Sequence, residues 1–463
     1  MLSRTRRLSL AKDRLSQMSF HEIPALFRDW LSFPKDFDKN RRKRIYTVFD
    51  IFWLFLYQVL SPQGSCQNAV LKALSSRALK RKKRPSLHTS SYCKARIKLP
   101  LNKIREILST LAERSQQEIH KKLLWFGRTV TVVDGTTCTM PDTKRNQKVF
   151  PQPDSQKKGC GFPLAKIVIL FSLAIGTVIA WNIGCYTDSE RALFHALLAS
   201  LSKIDVLLAD RGFSGYADFY YLSQNHIDFV IRISKKKRKH IKILEKLGKR
   251  DAIIKWFKPA VCPKWISKEI WNTIPPFLIL REITYSVLIP GRRTKIVTVA
   301  TSLLDHKKFP THAFVELYLR RWMAELFFRD IKTTLGMDHL SCKSPDMVEK
   351  EILMYLIAYN LIRLMIFRAS QIHHIDPERI SFQATVNAFL HFLYYFEYGG
   401  RDQKELKYLI RILYKAISEM KNPKRPNRRE PRTVKKRPKP YQYLTKLRSI
   451  FKEIPHRGKR PYS

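Results

Sequence analysis

Acidic residues are scarce in this chain: 38 Asp and Glu stand against 87 Lys and Arg over 463 residues, a formal net charge of +49. An excess that large goes beyond what solubility needs and points to a polyanion. Paired cysteines are missing too. The seven cysteines, at 66, 93, 138, 160, 185, 262 and 342, are odd in number and scattered, with no C-x2-C pair. That excludes a zinc ribbon and a secreted disulfide framework, and fits reduced, mostly packed thiols in the cytoplasm. The N-terminus, MLSRTRRLSLAKDRLSQMSF, lacks the uninterrupted apolar core of a signal peptide. No internal repeat is apparent.

One stretch, Ile167 to Thr187, is uncharged over a length that could span a bilayer. It is rich in Ile and Val and breaks at Gly176, so it predicts two strands, about 166–173 and 177–184, joined by a tight turn. A buried hairpin excludes a membrane anchor there. The basic residues cluster as RRKR (41–44), RALKRKKR (77–84), KKKRK (235–239) and a tail from Lys421. Residues 421–440 hold ten basic residues, one acidic residue and five prolines. Each run alone reads as a solvated surface; four together favour nucleic acid, with affinity that falls steeply with salt. An acidic membrane surface is the competing partner, but no amphipathic basic helix accompanies the runs.

The most specific pattern is Y-x2-R-x3-E-x6-K, formed by Tyr318, Arg321, Glu325 and Lys332 within ELYLRRWMAELFFRDIKTTLG (316–336). At 100° per residue the four fall within a roughly 60° arc of one helix face. One carboxylate is then flanked by an aromatic hydroxyl, a guanidinium and an ammonium, a stripe able to grip phosphate while the carboxylate holds a metal. Upstream, two β-branched runs end in aspartates: Asp134 in RTVTVVDGTTCTMPDT and Asp210 in IDVLLADRGFSGY. Either alone is commonly a turn or a helix cap.

Taken together, these segments resemble bacterial insertion-sequence transposases of the DDE class, specifically the insertion-sequence-four family. SYCKARIKLP (91–100), TSLLDHKKFP (301–310) and the basic tail are similar as well, so the resemblance runs from about residue 60 to about 445. It implies a DNA enzyme that binds terminal inverted repeats and target DNA as a homodimer. Cut-and-paste chemistry follows, with Asp134, Asp210 and Glu325 as catalytic metal ligands for two Mg²⁺ ions, for which Mn²⁺ can substitute. Tyr318, Arg321, Lys332 and Arg211 are the implied DNA contacts. The family also holds a flipped base on an aromatic, and Trp256, Trp265 and Trp271 lie in the corresponding region, where core packing competes as their role. A nuclease without strand transfer, or a non-catalytic DNA-binding descendant, are the rival readings.

The order of elements predicts an α/β fold with an RNase-H-like mixed sheet flanked by helices. Strands are expected at 129–138, in the 166–184 hairpin, at 205–210 and at 228–234, and helices at 189–201, capped by Asp188 or Thr187, and about 215–225. The expected organisation is an N-terminal helical DNA-binding domain (1–125), the first part of the core (126–234), a strand-rich insertion (235–310), the second part of the core with the glutamate helix (311–375), and C-terminal helices with the basic tail (376–463).

Overall fold

The computed structural model describes residues 24–27, 30–34, 36–37, 45–62, 64–79, 81–201, 205–234, 240–263, 265–287, 296–398, 403–423, 444 and 446–451. The basic runs 41–44 and 235–239 and the tail from 424 to 440 lie outside the described residues.

The apolar run near the N-terminus becomes α1 (Val48–Leu60), started by a capping box in which Thr47 and Asp50 each accept the other's amide. Three helices follow: α2 (Cys66–Leu79), α3 (Thr89–Ile97) and α4 (Leu101–Gln117). Their apolar stripes are too narrow to bury alone, and they close on one long helix far along the chain, Pro345–His373, with which they share a core. Packing also brings Cys66 and Cys93 to 3.8 Å between sulfurs, a pairing that their sequence separation does not suggest.

Among the described residues one mixed sheet of nine strands organises the rest, numbered in chain order and arranged β3-β2-β1-β4-β5-β9-β8-β7-β6. Strands β1 (Thr129–Thr139), β2 (Leu164–Ser172) and β3 (Val178–Cys185) run antiparallel, with the short helix α5 (Lys144–Val149) between the first two. After α6 (Glu190–His195), β4 (Asp205–Ala209) pairs parallel to β1; after α7 (Tyr216–Gln224), β5 (Asp228–Arg232) pairs parallel to β4. The expected hairpin is present, turning at Gly176 with φ +84, a conformation that disfavours any side chain. By contrast, one described helix, Pro345–His373, is long and apolar enough to cross a membrane, yet 94% of its apolar window is buried inside the protein, so it is read as a core helix.

Beyond β5 the chain adds β6 (Ile241–Gly248), β7 (Asp251–Phe257), the short α8 (Lys268–Thr273), β8 (Phe277–Ser286) and β9 (Ile296–Thr301), all antiparallel. Because β9 pairs with β5, this strand-rich segment continues the same sheet. Then come α9 (Thr311–Leu319), α10 (Met323–Arg329), α11 (Pro345–His373), α12 (Phe382–Tyr398) and α13 (Gln403–Glu419). Alternation along β1 sends Val133 to one face, against α6 and α7, and Val132 to the other, against α9.

Two local expectations are corrected. The helix expected at 189–201 stops at His195, with a separate turn at Leu198–Ser200, and its N-cap is Ser189. Asp188 instead turns back to accept the Cys185 amide at 2.7 Å, closing the end of β3. The helix expected through 336 is not uniform either: a 3₁₀ turn at Arg320–Trp322 separates α9 from α10, and a π turn at Asp330–Thr334 follows.

Candidate active site

The two aspartates meet because of strand register. Strands β1 and β4 pair from Thr129 with Asp205 to Val132 with Leu208. Two residues further, the same register sets Asp134 level with Asp210. Strand β4 ends there while β1 continues along β2 to Thr139, with Asp134 opposite Ile169. The opening left at the carboxyl end of a parallel strand is where α/β sheets place ligands.

Asp134 is held at half-buried depth. Its Oδ1 accepts the Gly135 amide at 2.9 Å. Burial pushes its carboxyl up to about 6, helped by the charges of Asp210 and Glu190 and opposed by the Gly135 amide and Arg321. Asp210 caps the turn that follows it, accepting the Gly212 amide at 2.7 Å, and Arg211 beside it is exposed.

The helix stripe is assembled differently from its helical wheel. Arg321 Nη2 donates to Glu325 Oε1 at 2.9 Å, and its Nη1 lies 3.9 Å from Asp134 Oδ2. One guanidinium therefore links the glutamate to the first aspartate. Tyr318 is 7% exposed and its hydroxyl donates to Ala209 O at 3.2 Å, immediately before Asp210. The expectation that it reaches a phosphate or a base does not fit that burial; it fastens the glutamate helix to β4. Lys332 pairs with Asp338 at 2.8 Å, and the Asp338 carbonyl accepts from Thr139 at the end of β1. A 3₁₀ turn and a π turn interrupt the α-helix between Tyr318 and Lys332, where the rotation per residue departs from 100°.

The tryptophans pack. Trp256 and Trp271 are buried, and Trp265 stacks on His195 at 4.4 Å between ring centroids. His195 in turn contacts Asp218 at 2.8 Å.

One residue at this site escaped sequence reasoning. Glu190, the first residue of α6, lies over Gly135: a Cβ built there would stand 1.7 Å from Glu190 Oε1. Burial raises its carboxyl, as does Asp210, against Lys166 and Arg191. The only signals in the sequence are a glycine directly after Asp134 and an acidic residue opening a helix.

All these donors are carboxylate oxygens, which suit hard divalent cations such as Mg²⁺ or Mn²⁺. Among the described residues no three His, Cys, Asp or Glu side chains converge closely enough to hold an ion. Arg321 supplies the positive charge between Asp134 and Glu325. The donor chemistry fits a divalent ion.

The model of the transposase DDE domain matches residues 125–361, a span that begins just before β1 and ends inside α11. The chain belongs to that family. It is a DDE transposase, an enzyme of the polynucleotidyl-transferase type. It is 28% identical over 367 residues, 77% of this chain and 79% of the relative, to the transposase InsG for insertion sequence element IS4 of Escherichia coli (strain K12). A cryo-EM structure of a piggyBac transposase synaptic complex with hairpin DNA aligns over 87% of this chain and 86% of that one, at a TM-score of 0.43 and 12% identity. A likeness that low carries no weight for the fold of this transposase.

Proposed function

We propose that this transposase binds the terminal inverted repeats of its own insertion sequence as a homodimer, cleaves the element's ends and joins them to target DNA by cut-and-paste. The observation that carries this is the register of β1 with β4, which levels Asp134 with Asp210, together with the Arg321 link from Asp134 to Glu325. The order β3-β2-β1-β4-β5, with β1, β4 and β5 parallel and β2 antiparallel to both β1 and β3, supports an RNase-H-like core.

In this reading Asp134, Asp210 and Glu325 are the residues that would hold two Mg²⁺ ions. Bound divalent ions supply activation of the attacking oxygen and stabilisation of the leaving one. Arg321, whose fork matches phosphate geometry, holds the DNA backbone beside the carboxylates. Arg211 and Lys332 contact neighbouring phosphates, Lys332 by leaving Asp338. The N-terminal helices (1–125) and the basic tail supply further DNA contacts, and the protein works in the cytoplasm on nucleoid DNA.

The test uses DNA carrying the inverted repeats that flank the gene, a second DNA as target, and Mg²⁺. Cleaved ends joined to the target are expected. Cleavage without joining reduces the protein to a nuclease, and binding without cleavage to a non-catalytic DNA-binding protein.

A further inference from the structure

We infer that Arg191 is a positioning residue for the reaction: from α6 it fixes the turn that follows β4 and, through Gly212, the carboxylate of Asp210. This rests on the reading of Asp210 as one of the three catalytic acids.

The turn from Asp210 to Gly215 is held from two sides. Within it, Asp210 Oδ1 accepts the Gly212 amide at 2.7 Å, so the direction of the carboxylate follows the place of Gly212. From outside, Arg191 Nε donates to the Gly212 carbonyl at 2.8 Å. One residue thus carries the second aspartate on its N–H and an arginine from another element on its C=O. Gly212 has to be bare for this, since a Cβ there would stand 2.8 Å from Asp210 Oδ1.

Arg191 is itself aimed. Its Nε lies 3.4 Å from Oδ2 of Asp218, a fully buried carboxylate in the first turn of α7. The same oxygen accepts the Gly215 amide at 2.7 Å, while Oδ1 contacts Nε2 of His195, one turn beyond Arg191 on α6, at 2.8 Å. Asp218 therefore locks α6 to α7 with the 210–215 turn between them.

A tie between two helices would be complete with Arg191 and His195 on Asp218, because a buried carboxylate needs only a partner charge and hydrogen bonds. The further bond to the Gly212 carbonyl acts on the loop that carries Asp210. A guanidinium with fixed N–H directions can serve carboxylate and carbonyl together, which a point charge on a flexible stem does less well. A displacement of about 1 Å at a reacting group can cost about 100-fold in rate.

The experiment is steady-state cleavage of terminal-repeat DNA with Mg²⁺ by the full-length protein and its Arg191→Met, Arg191→Lys and Asp210→Ala variants. DNA affinity, melting temperature and hydrogen exchange of a peptide spanning 210–215 are measured alongside. In Arg191→Met, kcat should fall about 10- to 100-fold with KM and DNA affinity unchanged, and exchange at 210–215 should quicken while that of β1 holds. Arg191→Lys should also lose kcat, because the charge beside Asp218 remains but the Nε–H direction is gone. Full turnover in Arg191→Lys would reduce Arg191 to a counter-charge for Asp218 and overturn the inference. A lower melting temperature with full turnover of the folded protein overturns it as well, and so does lost DNA affinity with kcat kept. Should Arg191→Met fail to fold, the turnover and exchange of Arg191→Lys decide alone. Cleavage that persists in Asp210→Ala would instead overturn the reading of Asp210, whereas an inactive Asp210→Ala beside a fully active Arg191→Met overturns only the role of Arg191.

Discussion

At the scale of single residues, placement that follows from strand position was legible and placement that depends on packing was not. Asp134 and Asp210 close β-branched runs, and the register of β1 with β4 sets these two strand ends level. Tyr318 shared a helical wheel with Arg321 and Glu325, but its ring is spent inside the core. Tyr318→Phe should then lower stability by about 1 kcal/mol, the worth of one hydrogen bond, and leave DNA affinity unchanged. Chemical denaturation and a binding titration check this; a large affinity loss without a stability loss would return Tyr318 to the DNA surface. Arg281 and Asp251 make a buried pair at the junction of β7 and β8, joined by Thr311 at 2.6 Å. Burial pushes the Asp251 carboxyl up, but the bonds from Arg281 and Thr311 more than offset it and leave it below its ordinary value. A carboxyl held lower in the folded state contributes stability above its unfolded pKa and loses it as the pH falls through the folded value. Arg281→Met should cost about 3–5 kcal/mol at neutral pH by stranding the carboxylate. The gap between variant and parent should narrow below about pH 4, read from denaturation curves across pH.

At the scale of elements, the hairpin and the long apolar helix were readable from Ile/Val content and from apolar residues on all sides. Strands β6 and β7 were not. Strand β6, IKILEKLG, sits at the sheet edge with most side chains exposed, so no buried face imposes an alternating pattern. The dependence of the hairpin on α11 was also invisible in sequence. Asn360 accepts the Val178 amide at 2.7 Å and donates to the Val178 carbonyl at 2.8 Å, and the Tyr359 hydroxyl donates to Gly176 O at 2.6 Å. A buried asparagine in an apolar helix thus completes the sheet where β3 begins. Asn360→Leu would leave two buried backbone groups unpaired, at about 1–3 kcal/mol each. The midpoint of denaturation should shift accordingly; an unshifted midpoint would mean that water or backbone replaces the side chain.

At the scale of the whole molecule, the charge of +49 is the dominant property, and residues 421–440 hold ten basic residues against one acidic. Deleting residues 421–440 should weaken binding to all DNA sequences alike and flatten the dependence of log K on log salt by several units at most. An unchanged slope would show the tail to be solvated and idle. In this strongly basic molecule Asp134, Asp210 and Glu325 come from β1, the turn after β4, and α10, elements far apart in sequence. The most direct measurement is cleavage of terminal-repeat DNA by Asp134→Ala, Asp210→Ala, Glu325→Ala and the triple variant, each with its DNA affinity. Every single variant should lose cleavage as completely as the triple one, since residues acting as a unit are not additive, and all should still bind the repeats. Mg²⁺-dependent nicking that persists in Glu325→Ala would contradict the assignment of the third carboxylate.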